Sequence, residues 1–183
     1  MIGPTLETER LILRPPIEAD LDGWAELLGD EETTRFIGGQ MPRAAAWRAM
    51  AAMTGSWPLR GFSMFSVIEK ASGQWIGRLG PWSPEGWPGT EVGWALLRSA
   101  SGKGYATEGA ARAIDWAFDA LGWVDVIHTI NPENLASIRV AQRLGSSRRG
   151  PGAMPAPFEH LPVDIWGQTR EQWSENRKRF EWL

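Results

Sequence analysis

The segment Ser101-Gly102-Lys103-Gly104-Tyr105-Ala106-Thr107 sets two glycines just ahead of a helical pattern. The first turn of a helix leaves several backbone N–H groups without intrahelical acceptors, and the macrodipole adds positive potential there. Together they favour an anion, phosphate above all. Gly102 and Gly104 lack the Cβ atoms that would hold a diphosphate off the main chain. The loop therefore has the chemistry of a diphosphate cradle. Two familiar phosphate loops do not fit it. A P-loop needs glycine where Leu97 stands and Ser or Thr where Gly104 follows Lys103. A dinucleotide fingerprint needs a third glycine where Thr107 stands. On these residues alone, a glycine-rich turn with no ligand is the structural alternative.

Other reactive groups are sparse. There is no cysteine, which excludes disulfides, thiolate metal sites and a cysteine nucleophile. The two histidines, His128 in an apolar run and His160 in a Pro-rich loop beside Glu159, stand apart from any carboxylate cluster, so spacing predicts no metal site. His128 reads as a core residue and His160 as part of a solvated loop. The one tyrosine, Tyr105, lies inside the glycine loop.

These groups need elements to position them. Leu6 to Arg14 ends in an alternating pattern and reads as a strand. Leu21, Trp24, Ala25 and Leu28 recur at helical spacing. Gly38-Gly39 breaks the chain, and Pro42 opens an alanine-rich helix over Arg43 to Met53. Phe62 to Glu69 and Gln74 to Leu79 read as a hairpin joined by the turn Lys70 to Gly73. A Pro- and Gly-dense loop, Trp82 to Gly89, leads to a strand over Glu91 to Arg98. After the glycine loop come a helix to about Ala120, a β-branched strand from Val124 to Ile130 and a helix from Leu135 to Leu144, stopped by Gly145. Gly150 to Pro162 reads as a Pro/Gly-rich stretch before a short strand, Val163 to Trp166. Thr169 with Gln172 three residues on predicts a capped last helix. Antiparallel pairs in the first half and alternation in the second predict an α/β (α+β) fold, a mixed sheet with helices on both faces.

The bulk properties fit that scheme. The chain has 183 residues, 43% hydrophobic and 22% charged, as expected of one soluble domain spanning 1–183. A net charge of −3 gives no reason to expect nucleic acid or an anionic membrane as partner. No apolar run approaches the roughly 20 residues that span a bilayer. Met1 to Arg14 carries charges and no apolar centre, unlike a signal peptide. The expected location is the cytoplasm. The twelve tryptophans read as fillers of core and cleft walls.

Four pieces occur in a particular order: Leu6-Glu-Thr-Glu-Arg-Leu-Ile-Leu-Arg14, Trp75-Ile-Gly-Arg78, Glu91-Val-Gly-Trp-Ala-Leu-Leu with the glycine loop, and Asn134-x-x-Ser137. This order resembles the GCN5-related N-acetyltransferases, and within them the RimJ/RimL-like branch that acetylates ribosomal-protein N-termini. The resemblance covers roughly residues 5–173. It implies a mostly antiparallel sheet of roughly six to seven strands, splayed between the strand at Glu91–Arg98 and that at Val124–Ile130. It also implies acetyl-CoA as co-substrate, with no metal. The pantetheine arm would pair with backbone at Trp94, Leu96, Leu97 and Arg98. The diphosphate would sit on Gly102, Lys103, Gly104, Tyr105, Ala106 and Thr107, and Asn134 and Ser137 would flank the arm.

The implied reaction is attack by a primary amine, on a protein N-terminus or a small molecule, within a ternary complex. An alkyl amine has a pKa near ~10.4 and must lose a proton to act. By the same resemblance Glu91 is the candidate base. Many members use a tyrosine as thiolate donor; Tyr105 is in the wrong place, and Ser137 takes that role. The other reading of Glu91 is an exposed strand-end carboxylate or salt-bridge partner, and of Ser137, a residue in a helix capped by Asn134. The family's Gln or Arg at the loop's start is Ser101 here, and its Leu-Gly-Phe ending is Leu144-Gly145-Ser146. A non-catalytic acetyl-CoA-binding module is the alternative function. Family members occur as monomers and as homodimers.

Overall fold

Leu11 and Leu13 alternate with Ile12 and Arg14, and in a computed structural model describing residues 2–180 they form strand β2 (Leu11–Arg14). Met1 and residues 181–183, which the expected single domain includes, lie outside the described residues. The strand expected over Leu6–Arg14 is broken in two, with β1 (Leu6–Glu7) folding back on β2. The break has a cause. Thr8 Oγ1 and the Arg10 amide both donate to Glu108, a carboxylate with no exposed surface, so this stretch turns inward.

The hairpin is β3 (Phe65–Glu69) with β4 (Trp75–Trp82), followed by β5 (Glu91–Leu96). β4 runs past its expected end through Gly80 and Pro81. Pro81 is tolerated because its missing N–H faces beyond the end of β3, whose register stops at Phe65 opposite Leu79. Then come β6 (Asp125–Ile130), β7 (Ser147–Gly152) and β8 (Val163–Thr169). Among the described residues the sheet has eight strands in the order β1-β2-β3-β4-β5-β6-β8-β7, and β5–β6 is its one parallel pair. The split first strand and the unexpected β7 account for the excess over the expected number. β7 replaces the first part of the predicted Pro/Gly-rich stretch; it is an exposed edge, bulged between Arg148 and Gly150, where Pro151 needs no second neighbour.

Helices cover both faces. α1 (Leu21–Gly29), the short α2 (Glu31–Thr34) and α3 (Arg43–Arg60) pack Trp24, Leu27, Met50 and Met53 against one face. α3 runs well past the expected Met53 and stops at Gly61, whose φ of 79° gives the left-handed C-cap. α4 (Tyr105–Asp119) lays Ala110, Ile114 and Phe118 on the other face against Leu79, Val92 and Val126. α5 (Leu135–Arg143) follows β6, and α6 (Arg170–Asn176) begins with the predicted capping box of Thr169 and Gln172. No helix among the described residues is long and apolar enough to cross a membrane.

Candidate active site

The sheet opens between β5 and β6. Their register contains one pair, Glu91 with Ile127, and the Ile127 amide donates to the Thr90 carbonyl at 2.9 Å. Beyond this point the strands part. The Leu97 amide donates to Ile76, which fixes the alternation along β5: residues 91, 93 and 95 face β4, and 92, 94 and 96 face the gap. The amides of Trp94 and Leu96 thus open where no strand partner follows. Leu97 itself is committed to β4, and Arg98 is exposed and ion-paired to Asp30 and Glu32.

Glu91 sits at the closed end of the gap. It is 5% exposed and has no salt bridge among the described residues, so it is neither of the alternatives its position allowed. Its Oε1 accepts from the Thr129 amide and hydroxyl, both at 3.0 Å, and its Oε2 from the Trp87 indole N–H at 2.5 Å. Burial outweighs these donors and the nearby Arg78 guanidinium, and raises the carboxyl pKa to about 6. That value suits a group that must take and return a proton near neutrality. Trp87 and Thr129 were not singled out in the sequence. The only signal was Trp87 four residues before Glu91 in a dense Pro/Gly loop.

His128 holds the opening. The Val92 carbonyl can only accept, so the 2.7 Å contact fixes the proton on His128 Nδ1. Nε2 then accepts from Ser146 Oγ at 2.9 Å, and Ser146 also accepts from Gln168. The ring is 1% exposed, and burial lowers its pKa to about 4. It is a neutral structural residue, as its apolar context predicts. Ser146, where the resembling family has Phe, is therefore part of a hydrogen-bond network as well as a change in packing.

Ser137 and Asn134 stand across the gap. Asn134 Oδ1 accepts from the Ser137 amide at 3.1 Å, capping α5. Ser137 Oγ lies 3.2 Å from the Trp94 indole N–H, so the hydroxyl reaches from α5 to a β5 side chain beside the gap.

The glycine loop precedes α4 as expected. Gly102 and Gly104 have φ of 77° and 84°, a region that glycine enters without strain. Nothing lies within 4 Å of a Cβ built on Gly102, and at Gly104 only the Arg10 guanidinium does, at 3.4 Å. The Glu108 amide makes the first helical bond, to Gly104, and the amides of Gly102 to Thr107 find no acceptor among the described residues. Tyr105 turns away, donating to Glu69 and stacking under Arg10. Arg10 also holds the Lys103 carbonyl and the buried Glu108, anchoring the loop from below. Free amides, open space above the glycines and the cations Lys103 and Arg10 fit a diphosphate. Among the described residues no group of three or more His, Cys, Asp or Glu could hold a metal ion.

Comparison with known proteins agrees with this geometry. The acetyltransferase (GNAT) domain family matches residues 10–147. N-acetyltransferase p20 of Bacillus licheniformis, itself uncharacterized, is 31% identical over 149 residues, 80% of this chain and 84% of that protein. The crystal structure of an acetyltransferase from Agrobacterium tumefaciens superposes with a TM-score of 0.80 at 28% identity, over 91% of this chain and 95% of that one. RimJ of Mycobacterium smegmatis, solved with CoA-disulfide, shares the fold at 17% identity with a TM-score of 0.72, over 92% and 87% of the two chains. The chain belongs to the GNAT acetyltransferase family and is an enzyme of acetyl transfer.

Proposed function

We propose that this chain transfers the acetyl group of acetyl-CoA to a primary amine by direct attack in a ternary complex. The observation that carries this reading is Glu91, a carboxylate enclosed where β5 and β6 part, with its pKa raised to about 6. In this reading the free amides of Gly102, Lys103, Gly104, Tyr105, Ala106 and Thr107 take the diphosphate, and the free backbone of Trp94 and Leu96 takes the pantetheine arm. Leu97 and Arg98 act by continuing that edge into the loop. Asn134 and Ser137 flank the arm from α5. Bound acetyl-CoA supplies an activated acyl carbon.

The chain's own groups do the rest. Glu91 is mostly ionised at neutral pH and receives the proton that the amine nitrogen sheds as its N–C bond forms and the C–S bond breaks. The Leu96 amide donates to the carbonyl oxygen as negative charge builds there. Ser137 accepts from Trp94, which leaves its own O–H free to donate to the departing sulfur. A serine hydroxyl is a weak acid, so it orients and stabilises the thiolate. The acceptor is a small amine or a protein N-terminus, and the reading places the reaction in the cytoplasm, in one domain working as a monomer or a homodimer.

The test is release of CoA, followed with a thiol reagent, across a panel of small amines and short peptides. Turnover with any of them supports the reading. Calorimetric binding of acetyl-CoA with no turnover on the whole panel would leave only the binding function.

A further inference from the structure

Arg78 is a buried-side arginine on the Glu91 face of the sheet that the proposed chemistry leaves unused. Register places it on the same face as Glu91: Arg78 pairs with Ala95, Gly80 with Gly93 and Trp82 with Glu91. Two paired glycines therefore separate the arginine row from the glutamate row, and they make a floor without side chains. One methionine spans the interval. The Arg78 Nη1 lies 3.1 Å from Met64 Sδ, and a Cβ built on Gly93 would meet the Met64 methyl at 2.8 Å and Glu91 Oε1 at 3.4 Å. The guanidinium also touches Met53 Sδ at 3.1 Å and lies 5.2 Å from the Trp24 ring.

None of these neighbours is a counterion. Among the described residues Arg78 has no carboxylate at ion-pairing distance, and its Nε is buried with no partner. The residue as a whole is only partly buried. Thioethers are weak acceptors, and a buried guanidinium held by them is under-satisfied at a substantial energetic cost. The carboxylate that acts on it through space is Glu91, which Thr129 and Trp87 already engage.

We propose that Arg78 binds a carboxylate carried by the acceptor itself, so the substrate is an aminocarboxylate whose amine faces Glu91 and whose acid faces Arg78 across the Gly80–Gly93 floor. The inference rests on the acetyltransferase reading and narrows its acceptor. Guanidinium and carboxylate form paired, charge-assisted hydrogen bonds that thioethers cannot. An amine with no acid group leaves the arginine as under-satisfied as it is without substrate.

The experiment compares amino acids with their own amides, and peptides starting with Asp with those starting with Asn. Expected for the wild type is a kcat/KM ratio of acid to amide of at least about tenfold, one charge-assisted bond's worth. Arg78→Met, which suits the thioether-lined site, should bring that ratio to about one by raising KM for the acid. Arg78→Lys should restore part of it. A preference confined to free amino acids names a small-molecule acceptor; one confined to Asp peptides names a protein N-terminus. Amides acetylated as well as acids, or a ratio untouched by Arg78→Met, would overturn the inference while leaving the acetyltransferase reading intact. If no amine turns over, calorimetric binding of the same acids decides it: wild-type binding lost in a folded Arg78→Met protein supports the role, and equal binding, or none in the wild type, removes it.

Discussion

The Trp94 indole N–H donates to Ser137 Oγ across the gap between β5 and α5, at 3.2 Å. This contact orients the hydroxyl. An oxygen that accepts from an indole directs its own proton elsewhere. Ser137→Ala should therefore lower kcat by roughly ten- to a hundredfold, the low end for a positioned donor, and leave acetyl-CoA affinity nearly unchanged. Trp94→Phe keeps the ring and loses only the N–H, so its effect on kcat should be smaller. Steady-state kinetics beside calorimetric titration with acetyl-CoA measures both. Activity near wild type in Ser137→Ala would hand the thiolate to water or backbone.

As the proposed base, Glu91 should set the acid limb of the rate profile. Its pKa is raised to about 6 by burial, so the base is ionised above that pH and protonated below it. kcat should fall about tenfold per pH unit once the pH drops below roughly 6. Glu91→Gln should lower kcat by at least a hundredfold and abolish this limb, while acetyl-CoA still binds. A limb that persists in the variant would belong to another group.

The same shift has a stability consequence of opposite sense. A carboxyl whose folded pKa lies above its ordinary value is most favourable when protonated. Its contribution is present below about 4.5 and is lost as pH rises through about 6. Between pH 4 and 7 the wild type should lose about 2 kcal/mol relative to Glu91→Gln, seen as a pH-dependent gap between two denaturation curves. A base at this position would be kept at a cost to the fold.

Much of this was legible in the residues. Leu11 and Leu13, the run Glu91–Leu96 and the glycine loop carry strong local signals, apolar period or turn chemistry, and the structure places each where its signal puts it. β7 carried none. Ser147-Arg-Arg-Gly-Pro-Gly is an exposed edge with no apolar alternation, defined only by its pairing with β8. The far turns of α3 include Gly55 and Pro58, both poor helix formers, and packing of Trp57 overrides them. The site was half legible. Sequence order singled out Glu91, Asn134 and Ser137 through resemblance, yet the hydrogen bonds that enclose Glu91 come from Trp87 and Thr129, which sit on other elements. Arg78 looked like any arginine until the register put two glycines between it and Glu91.

His128 should make the fold sensitive to acid. Burial lowers its pKa from 6.5 to about 4, with its Nδ1 proton given to Val92 and its Nε2 lone pair to Ser146. A base with a depressed folded pKa holds its stabilising contribution above its ordinary pKa and loses it as pH falls through the folded one. The loss should reach about 3 kcal/mol by pH 4 and should begin near 6.5. His128→Gln, which cannot charge, should show a shallower acid limb in urea titrations at successive pH values, whatever its stability at neutral pH. Because this ring occupies the Val92 carbonyl where β5 and β6 diverge, its protonation in the folded protein should also weaken acetyl-CoA binding as pH falls through about 4. Affinity that stays constant as a still-folded protein passes through that pH would separate the ring from the shape of the gap.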